Sequence, residues 1–505
     1  MCFELLTYFE CIDDRIRMNI EKTMNQLEPT LLWQYFEEIT KIPRPSKKEG
    51  KIVAYIVDFA QQNRLEVKRD RANNLLVIKP ATHGFEHLPT VVLQSHMDMV
   101  CEKNKEVQFD FDSDAIQTVI DGDWLSAKGT TLGADNGIGV ATELALLASD
   151  TVEHGKLECL FTVDEETGLT GARALGTDFF SGKILINLDS EEEGYLYVGC
   201  AGGIDTTIQF NYKPQATPEN LFFFRLDVRG LTGGHSGGDI HKGLPNANKL
   251  LVHFLQAVSA ESPLFIAEIG GGNLRNAIAR EAFVIAGVPF PFKERVRVLL
   301  NFFTSDMEDV YGPIDPHMRF DLESEETPPA IIDPVVAGRL LEALTACPHG
   351  VIAMSQDIEG LVQTSTNMAS VKQNKKDGII EVVTSQRSAV ESEKKAISDK
   401  IESIFAQGGG VVTHGEGYPG WKPNLQSPIL RIVRESYIRL FKKQPQVMAI
   451  HAGLECGLFL EKYPDLDMVS FGPTMEGVHS PQERIFIPSV PLFWNHLLDV
   501  LKNVR

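Results

Sequence analysis

The first residues in this chain that could do chemistry are His96 and Asp98, at the end of the apolar stretch VVLQSHMDMV. In an extended strand alternate side chains share a face, so this imidazole and this carboxylate project to the same side. The pair fits a metal ligand whose ring is oriented by a neighbouring acid. It also fits a buried histidine paired with an acid at a strand edge, and residues later in the chain decide between the two.

Two later apolar stretches also end in acids. Residues 157–163 lead to Glu165 and Glu166, and residues 184–188 lead to Asp189. Because strands alternate with helices in this part of the chain, we expect an α/β sheet that is partly parallel. Functional residues of such sheets collect at the carboxyl ends of the strands, so these side chains should meet at one edge.

A mixed set of imidazoles and carboxylates indicates a metal site. The candidate ligands are His96, Asp135, Glu166, Asp189 and His479. They exceed what one tetrahedral metal needs, and they suit two metals that share a carboxylate. Asp135 follows a glycine-rich loop at the start of a helix, where an anion is favoured, so we predict that it is the bridge. Zn²⁺, Mn²⁺ or Co²⁺ would fit these ligands.

The adjacent acids Glu165 and Glu166 could divide two tasks of a hydrolytic reaction. One carboxylate holds a metal, while the other takes a proton from metal-bound water and passes it to the leaving amine. Neighbouring residues at a strand end point in different directions, so the pair could serve both functions. The alternative for an isolated Glu-Glu is two solvated acids in a loop.

Composition excludes several classes of partner. The chain has 505 residues, which favours two domains, and its net charge of -21 argues against nucleic acid or an anionic membrane surface. No apolar run is long enough to span a membrane. The seven cysteines are scattered and odd in number, which is typical of a reducing compartment and predicts a cytoplasmic protein.

The pattern of predicted strands and helices changes after about Gly203, which predicts a second domain inserted into the first. The predicted boundaries are an N-terminal extension (1–24), a catalytic domain in two parts (25–204 and 419–505), and the inserted domain (205–418). The inserted domain alternates predicted strands near 221–228, 265–269, 283–288, 318–322 and 379–384 with helices near 246–258, 293–303, 335–345 and 392–405. This order resembles a duplicated split βαβ sheet with helices on one face.

The ordered set of motifs resembles one family of dinuclear zinc amidohydrolases, which includes aminoacylases, carnosinases and glutamate carboxypeptidases. The segments that carry the resemblance are LQSHMDMVCEKN, GTTLGADNGIG, FTVDEETGLTGA, LINLDSEEEG, GLTGGHSGGDIHKGLPNAN, YPGWKPN, HAGLECG and FGPTMEGVHSPQE. They span nearly the whole chain apart from the N-terminal extension. The resemblance implies a zinc-peptidase-like α/β catalytic domain, with a mixed, partly parallel sheet flanked by helices, and an inserted α+β lid or dimerisation domain.

The resemblance also implies a role for each ligand. His96, Asp135 and Asp189 would hold one metal, and Asp135, Glu166 and His479 would hold the other. Glu165 would be the general base and acid, with Asp98 as its orienting partner. A cis peptide bond would join Asp135 to Asn136.

Further residues are assigned to the oxyanion and to the substrate. His235 would help to stabilise the oxyanion, and Asn276 and Arg387 would hold the terminal carboxylate. His451 and Glu455 would line the catalytic-domain side of the pocket, and Glu455 could receive a substrate ammonium group. The alternatives are a solvated loop histidine for His235, a surface salt bridge for Arg387 and a structural role for Glu455.

The implied activity is hydrolysis of unblocked dipeptides, notably Xaa-His, with two Zn²⁺ per chain and a homodimer formed through the lid. Lid closure would exclude water and favour short peptides over proteins. Two alternatives stay open at this point. One is a tripeptide aminopeptidase or N-acyl amino acid deacylase with the same metals, and the other is a catalytically silent peptide-binding protein.

Overall fold

The computed structural model describes residues 23–505, so most of the predicted N-terminal extension lies outside the described residues. The chain forms two compact units. Unit 1 comprises the described part of Met1–Val198 together with Asn424–Met448 and Leu458–Arg505, and unit 2 comprises Gly199–Pro423 and Ala449–Gly457.

The strands and α-helices of the described residues have the following bounds. The strands are β1 (Glu66–Arg69), β2 (Leu75–Lys79), β3 (Val91–His96), β4 (Thr118–Asp121), β5 (Trp124–Ala127), β6 (Leu157–Thr162), β7 (Ile184–Asn187), β8 (Tyr195–Cys200), β9 (Gly202–Asn211), β10 (Gln215–Ala216), β11 (Leu221–Arg229), β12 (Gly234–His235), β13 (Phe265–Gly271), β14 (Ala277–Ile278), β15 (Ala282–Pro289), β16 (Arg319–Glu325), β17 (Ala330–Ile331), β18 (Gly350–Met354), β19 (Val362–Asn374), β20 (Ile379–Ser388), β21 (Val411–His414), β22 (Gln446–Ile450), β23 (Asp467–Ser470), β24 (Met475–Glu476) and β25 (Arg484–Phe486). The α-helices are α1 (Thr30–Thr40), α2 (Gly50–Gln62), α3 (Ala134–Ala148), α4 (Glu165–Gly168), α5 (Thr170–Ala174), α6 (Ala247–Glu261), α7 (Lys293–Tyr311), α8 (Pro334–Ala346), α9 (Glu391–Gln407), α10 (Pro428–Phe441), α11 (Glu455–Lys462) and α12 (Ser489–Asn503).

Unit 1 is built on a mixed sheet in the order β1-β2-β6-β3-β7-β23-β8-β22. Strands β6, β3, β7 and β23 pair in parallel, whereas β1 and β2 join the sheet antiparallel. Every residue of β3 and β6 is buried, as expected for apolar strands covered on both faces. Helix α3 packs against β3 and against α1. A separate four-stranded sheet has the order β24-β25-β5-β4.

Unit 2 contains two split βαββαβ repeats in one sheet, which confirms the predicted duplication. The first repeat, β11-α6-β13-β15-α7-β16, has the strand order β16-β11-β15-β13, and the second, β9-α8-β19-β20-α9-β21, has the order β19-β20-β9-β21. Antiparallel pairing of β13 with β19 at Gly270 and Gly271 joins them. One apolar core includes residues from all four helices and from both repeats, so the helices lie on one face of the sheet.

The segment Ala449–Gly457 belongs to unit 2, although the sequence prediction assigned it to the second part of the catalytic domain. Backbone hydrogen bonds explain this position. The Ala201 amide donates to the carbonyls of Ile450 and Ala452, and the Cys200 thiol contacts the Leu454 carbonyl at 3.8 Å.

Candidate metal centre

The four parallel strands of unit 1 each lead into a segment that carries a predicted site residue. His96 is the last residue of β3, Glu165 and Glu166 follow β6, Asp189 follows β7, and the segment after β23 carries His479. Asp135 lies in the first turn of α3, and its peptide bond to Asn136 is cis, as predicted. Because parallel strands share a direction, their carboxyl ends bring these side chains to one edge of the sheet.

Asp135 lies between the two histidines. Its Oδ1 atom is 3.2 Å from His96 Nε2, and its Oδ2 atom is 3.2 Å from His479 Nε2. His96 Nε2 also lies 3.5 Å from Asp189 Oδ1, and His479 Nε2 lies 3.0 Å from Glu166 Oε2. The structure therefore forms two ligand groups, His96–Asp135–Asp189 and Asp135–Glu166–His479, that have Asp135 in common.

The charges of this cluster fit divalent cations. Burial raises the pKa of Glu166 and of Asp189, and the negative charge of Asp135 adds to both shifts. Burial also opposes ionisation of Asp135, but hydrogen bonds with His479 and His96 hold its pKa well below the usual range. Glu166 Oε1 is buried and has no hydrogen-bond partner. Nitrogen and oxygen donors around an unsatisfied carboxylate oxygen are the ligand chemistry expected for Zn²⁺, Mn²⁺ or Co²⁺.

Asp98 joins the histidine end of β3 to the segment that carries the two glutamates. Its Oδ1 atom lies 3.4 Å from His96 Nδ1 and accepts the Glu165 amide at 3.1 Å. Its Oδ2 atom accepts the Glu166 amide at 3.2 Å and the Ser46 hydroxyl at 2.8 Å. Burial opposes the ionisation of Asp98, but these hydrogen bonds, led by the one with His96, lower its pKa. One carboxylate thus orients both the ring of His96 and the backbone of Glu165.

Glu165 lies in the same cluster. It starts helix α4, and a carboxylate oxygen of Glu165 is within 4.8 Å of ligand atoms of His96 and Glu166. Asn136 donates from Nδ2 to Asp189 Oδ1 at 2.6 Å, so the residue after Asp135 fixes another predicted ligand.

His235, predicted to stabilise the oxyanion, and the four predicted substrate-binding residues all lie in unit 2, although His451 and Glu455 were predicted on the catalytic-domain side. His235 is exposed in β12, and its Nδ1 atom accepts the amides of Gly237 and Gly238 at 3.3 and 3.0 Å. The proton of the neutral ring is therefore on Nε2. Asn276 is also exposed, and its carbonyl accepts the Ser236 amide at 2.8 Å.

The other three predicted substrate residues are buried. Arg387 lies in β20 and donates from Nη1 to the Tyr418 hydroxyl at 2.8 Å. His451 Nε2 lies 2.7 Å from the Ser365 hydroxyl. Glu455 is fully buried in the first turn of α11, a position that suits the structural alternative better than contact with a substrate ammonium group.

Comparison with known proteins identifies the family. The model of peptidase family M20/M25/M40 matches residues 92–503. The chain belongs to this family. The chain is therefore a metallopeptidase of the M20 type, and it has two groups of side chains that could hold metal ions.

Two relatives resemble this M20 peptidase over almost its whole length. A cytosol non-specific dipeptidase from Escherichia coli (strain K12) is 43% identical over 481 residues, which cover 95% of this chain and 99% of that protein. The crystal structure of aminoacylhistidine dipeptidase from Vibrio alginolyticus matches with a TM-score of 0.89 at 42% identity, covering 96% of this chain and 98% of that one.

A more distant structure shares the M20 fold. Aminopeptidase PepT from Bacillus cereus ATCC 10987 matches with a TM-score of 0.60 at 16% identity, covering 95% of this chain and 100% of that one. Across residues 23–505 of the M20 peptidase, we find no helix with the length and apolar character that a membrane crossing requires.

Two buried charged side chains, Glu483 and Arg44, hold the loop before Asp135, and neither was predicted from the sequence. Glu483 accepts four successive backbone amides, from residues 132–135, at 2.6 to 3.2 Å. Arg44 donates to the carbonyls of Met97, Asp98 and Gly133 at 3.1, 2.8 and 2.5 Å. The only signal for Glu483 was its place four residues after His479, and Arg44 had none, because burial of a charge depends on tertiary contacts.

Proposed function

We propose that this chain is a metal-dependent dipeptidase that hydrolyses unblocked dipeptides, including those with a C-terminal histidine. The observation that carries the proposal is the sharing of Asp135 by two groups of metal-ligating side chains. The two relatives that match over almost the whole chain, one a non-specific dipeptidase and one an aminoacylhistidine dipeptidase, support the substrate class.

The proposed cofactors are two Zn²⁺ ions per chain, for which Mn²⁺ or Co²⁺ could substitute. His96, Asp135 and Asp189 would hold one ion, and Asp135, Glu166 and His479 would hold the other. When bound, the ions would polarise the scissile carbonyl and make water a stronger acid.

Glu165 is the proposed general base and acid. Its carboxylate accepts a proton from the attacking water and later delivers that proton to the leaving amine. Its position next to the ligand cluster supports this role. Asp98 is the residue proposed to fix the geometry, because it accepts the backbone amides of both Glu165 and Glu166.

Residues of unit 2 are proposed to recognise the substrate. His235 carries its proton on Nε2, so a neutral ring can donate a hydrogen bond to the developing oxyanion. Arg387 and Asn276 are proposed to bind the terminal carboxylate, a task that suits the planar guanidinium of arginine. His451 supports this subsite through its contact with Ser365.

The first experiment replaces the proposed base. Glu165→Gln should lower kcat by about 100- to 10,000-fold because the amide cannot accept the proton. The metal content, measured by elemental analysis, should stay close to that of the wild type. The matched control is Glu106→Gln at an exposed position, which should keep full activity. An active Glu165→Gln enzyme would contradict the assignment of the base.

The second experiment tests the substrate class. The panel contains Ala-His, β-Ala-His, Gly-Gly-Gly and N-acetyl amino acids, and we expect the dipeptides to be cleaved with the highest kcat/KM. Preference for Gly-Gly-Gly or for acetylated substrates would favour the tripeptide aminopeptidase or the deacylase. Absence of cleavage with two metals bound would favour a silent peptide-binding protein.

The proposal also includes location and assembly. The word cytosol in the name of the Escherichia coli relative supports a cytoplasmic location. The homodimer through unit 2 is a prediction from the family resemblance, and light scattering of the purified protein tests it. No nucleic acid or membrane partner is proposed for a chain with a net charge of -21.

A further inference from the structure

Arg387 is a buried cation without a counter-ion. Its side chain is only 8% exposed, and within residues 23–505 it forms no ion pair with an acid. Its Nε atom is buried and has no hydrogen-bond partner. An arginine does not lose its proton in a protein, and an unpaired buried charge is costly, so the position fits an anionic group that a ligand supplies.

Tyr418 fixes the orientation of this guanidinium. Its hydroxyl accepts from Arg387 Nη1 at 2.8 Å. Its ring lies so close to Gly203 and Gly453 that an added Cβ atom would come within 2.6 and 2.8 Å of ring atoms. Its carbonyl accepts the Gly203 amide at 3.0 Å and the Lys394 ammonium at 2.6 Å, so backbone and side chain are both held.

Tyr418 leaves the charge of Arg387 unneutralised. Burial raises the pKa of the phenol, although the charge of Arg387 opposes the shift, so the hydroxyl stays neutral. The neutral hydroxyl accepts a hydrogen bond at one end of the guanidinium but does not neutralise its positive charge. The remaining donors are available for a carboxylate, which arginine binds through two parallel hydrogen bonds.

The residue paired with Arg387 on the neighbouring strand is also neutral. Ser365 is its cross-strand partner in β19, and the Ser365 hydroxyl contacts His451 Nε2 at 2.7 Å. Burial and the charge of Arg387 lower the pKa of His451 to about 3, so the ring carries no charge at neutral pH. Tyr418 thus orients the cation through a hydrogen bond, and neither Ser365 nor the uncharged His451 competes for its charge.

We propose that Tyr418 is a positioning residue for carboxylate recognition: its hydroxyl fixes the Arg387 guanidinium so that this cation selects substrates with a free C-terminal carboxylate. The proposal rests on the dipeptidase function, because a dipeptide supplies the carboxylate. It extends that function by assigning the choice between a free and an amidated C-terminus to the Tyr418–Arg387 pair.

The test is Tyr418→Phe, which keeps the ring beside the two glycines and removes only the hydroxyl. The substrates are Ala-His and its C-terminal amide. We expect KM for Ala-His to rise about tenfold, because the loss of one hydrogen bond to a charged group weakens binding by about that factor. We expect kcat to stay within about twofold of the wild-type value. The constants for the amide should not change, because the amide brings no negative charge to Arg387. Tyr311→Phe, elsewhere in unit 2, is the matched control and should behave as the wild type.

A binding measurement separates this proposal from the proposed function. Calorimetry with the metal-loaded Glu165→Gln protein gives Kd for both ligands without turnover, and the double variant with Tyr418→Phe should lose about tenfold in affinity for Ala-His alone. A carboxylate preference that Tyr418→Phe removes supports the proposal even if the wild type cleaves no dipeptide. An equal loss for acid and amide, or no loss for Ala-His, would overturn it.

Discussion

Glu483 connects the loop that carries His479 with the loop that carries Asp135. Both of its oxygens accept backbone amides, Oε2 from Leu132 and Gly133 and Oε1 from Ala134 and Asp135. The residue is only 2% exposed, so water cannot replace these bonds. The carboxylate therefore determines where the backbone places Asp135, which is one of the predicted metal ligands.

Glu483→Gln should weaken metal binding and destabilise the protein. A glutamine has one oxygen, so its amide group would face two of the four backbone donors, at a cost of about 1–3 kcal/mol. We expect less metal to remain after dialysis against a weak chelator, measured by elemental analysis, and a lower Tm.

The matched control is Glu476→Gln in the same segment. Glu476 forms an exposed ion pair with Arg484, a kind of contact that contributes at most about 1 kcal/mol. Equal metal retention in the two variants would show that Glu483 does not position Asp135.

At the scale of elements, the N-terminal half of α3 is close to β3. A Cβ atom at Gly139 would lie 1.9 Å from Asn136 Oδ1 and 3.0 Å from Ser95 Cβ. Asn136 in turn donates to Asp189, so the absence of a side chain at Gly139 allows the helix, the strand and a predicted ligand to pack together.

Gly139→Ala should destabilise the protein, although glycine to alanine in a helix usually stabilises it by about 0.5–1 kcal/mol. The added methyl group must displace Asn136, and overpacking of this kind costs about 1–3 kcal/mol. Gly338→Ala in α8 is the matched control, because nothing lies within 4 Å of its added Cβ and the normal stabilisation should appear. Urea unfolding measures both free energies, and a stabilised Gly139→Ala protein would contradict the steric argument.

The sequence predicted the elements whose side chains repeat with a clear period. Helices α6 to α9 lie within a few residues of their predicted bounds, except that α7 continues to Tyr311. Strands β9 and β19 were not predicted, because β19 reads VQTSTNMASVKQN and lacks an apolar alternation. Its buried polar residues, such as Thr364 and Ser365, bond to groups that only the folded chain brings near.

Most of the predicted metal ligands, unlike β19, stand at places that local sequence marks. His96 ends an apolar strand, Glu166 and Asp189 follow apolar strands and Asp135 starts a helix, so local sequence marks their places, whereas His479 lies in a loop beyond β23 and β24. Glu483, Arg44 and Tyr418 resemble ordinary surface residues in sequence, and their positions depend on distant backbone groups.

At the scale of the whole molecule, the chain order hides the repeats of unit 2. Strand β9 belongs to the second repeat, but the complete first repeat comes after it and before α8, where the second repeat continues. Sequence comparison of consecutive halves would not align these repeats, since one is nested inside the other. The topology shows a duplication that the residues alone could only indicate.

Histidines with a lowered pKa in both units make stability depend on pH. Burial lowers the pKa of His349 and of His496 to about 4, and burial with the charge of Arg387 lowers that of His451 to about 3. An unfolded histidine has a pKa of about 6.5, so below this pH the unfolded chain binds protons that the folded chain does not. The contribution of these neutral histidines to the free energy of unfolding is therefore fully present above about pH 6.5 and is lost as the pH falls toward about 4.

His496→Phe should reduce this loss. His496 packs against the rings of Tyr437, Phe441 and Phe471, so a phenylalanine fits the apolar surroundings, although the contact of Nε2 with the Val433 carbonyl is lost. At pH 5 each such histidine destabilises the fold by about 2 kcal/mol relative to pH 7, and the variant should lack one such contribution. Urea unfolding of the metal-free proteins at pH 7 and pH 5 gives the change in unfolding free energy for each protein. Titration of the predicted metal ligands affects wild type and variant equally, so it cancels when the two changes are compared. The control is His83→Phe at an exposed histidine, which should keep the wild-type difference in unfolding free energy between pH 7 and pH 5. If His496→Phe also kept that difference, His496 would not contribute to the acid sensitivity.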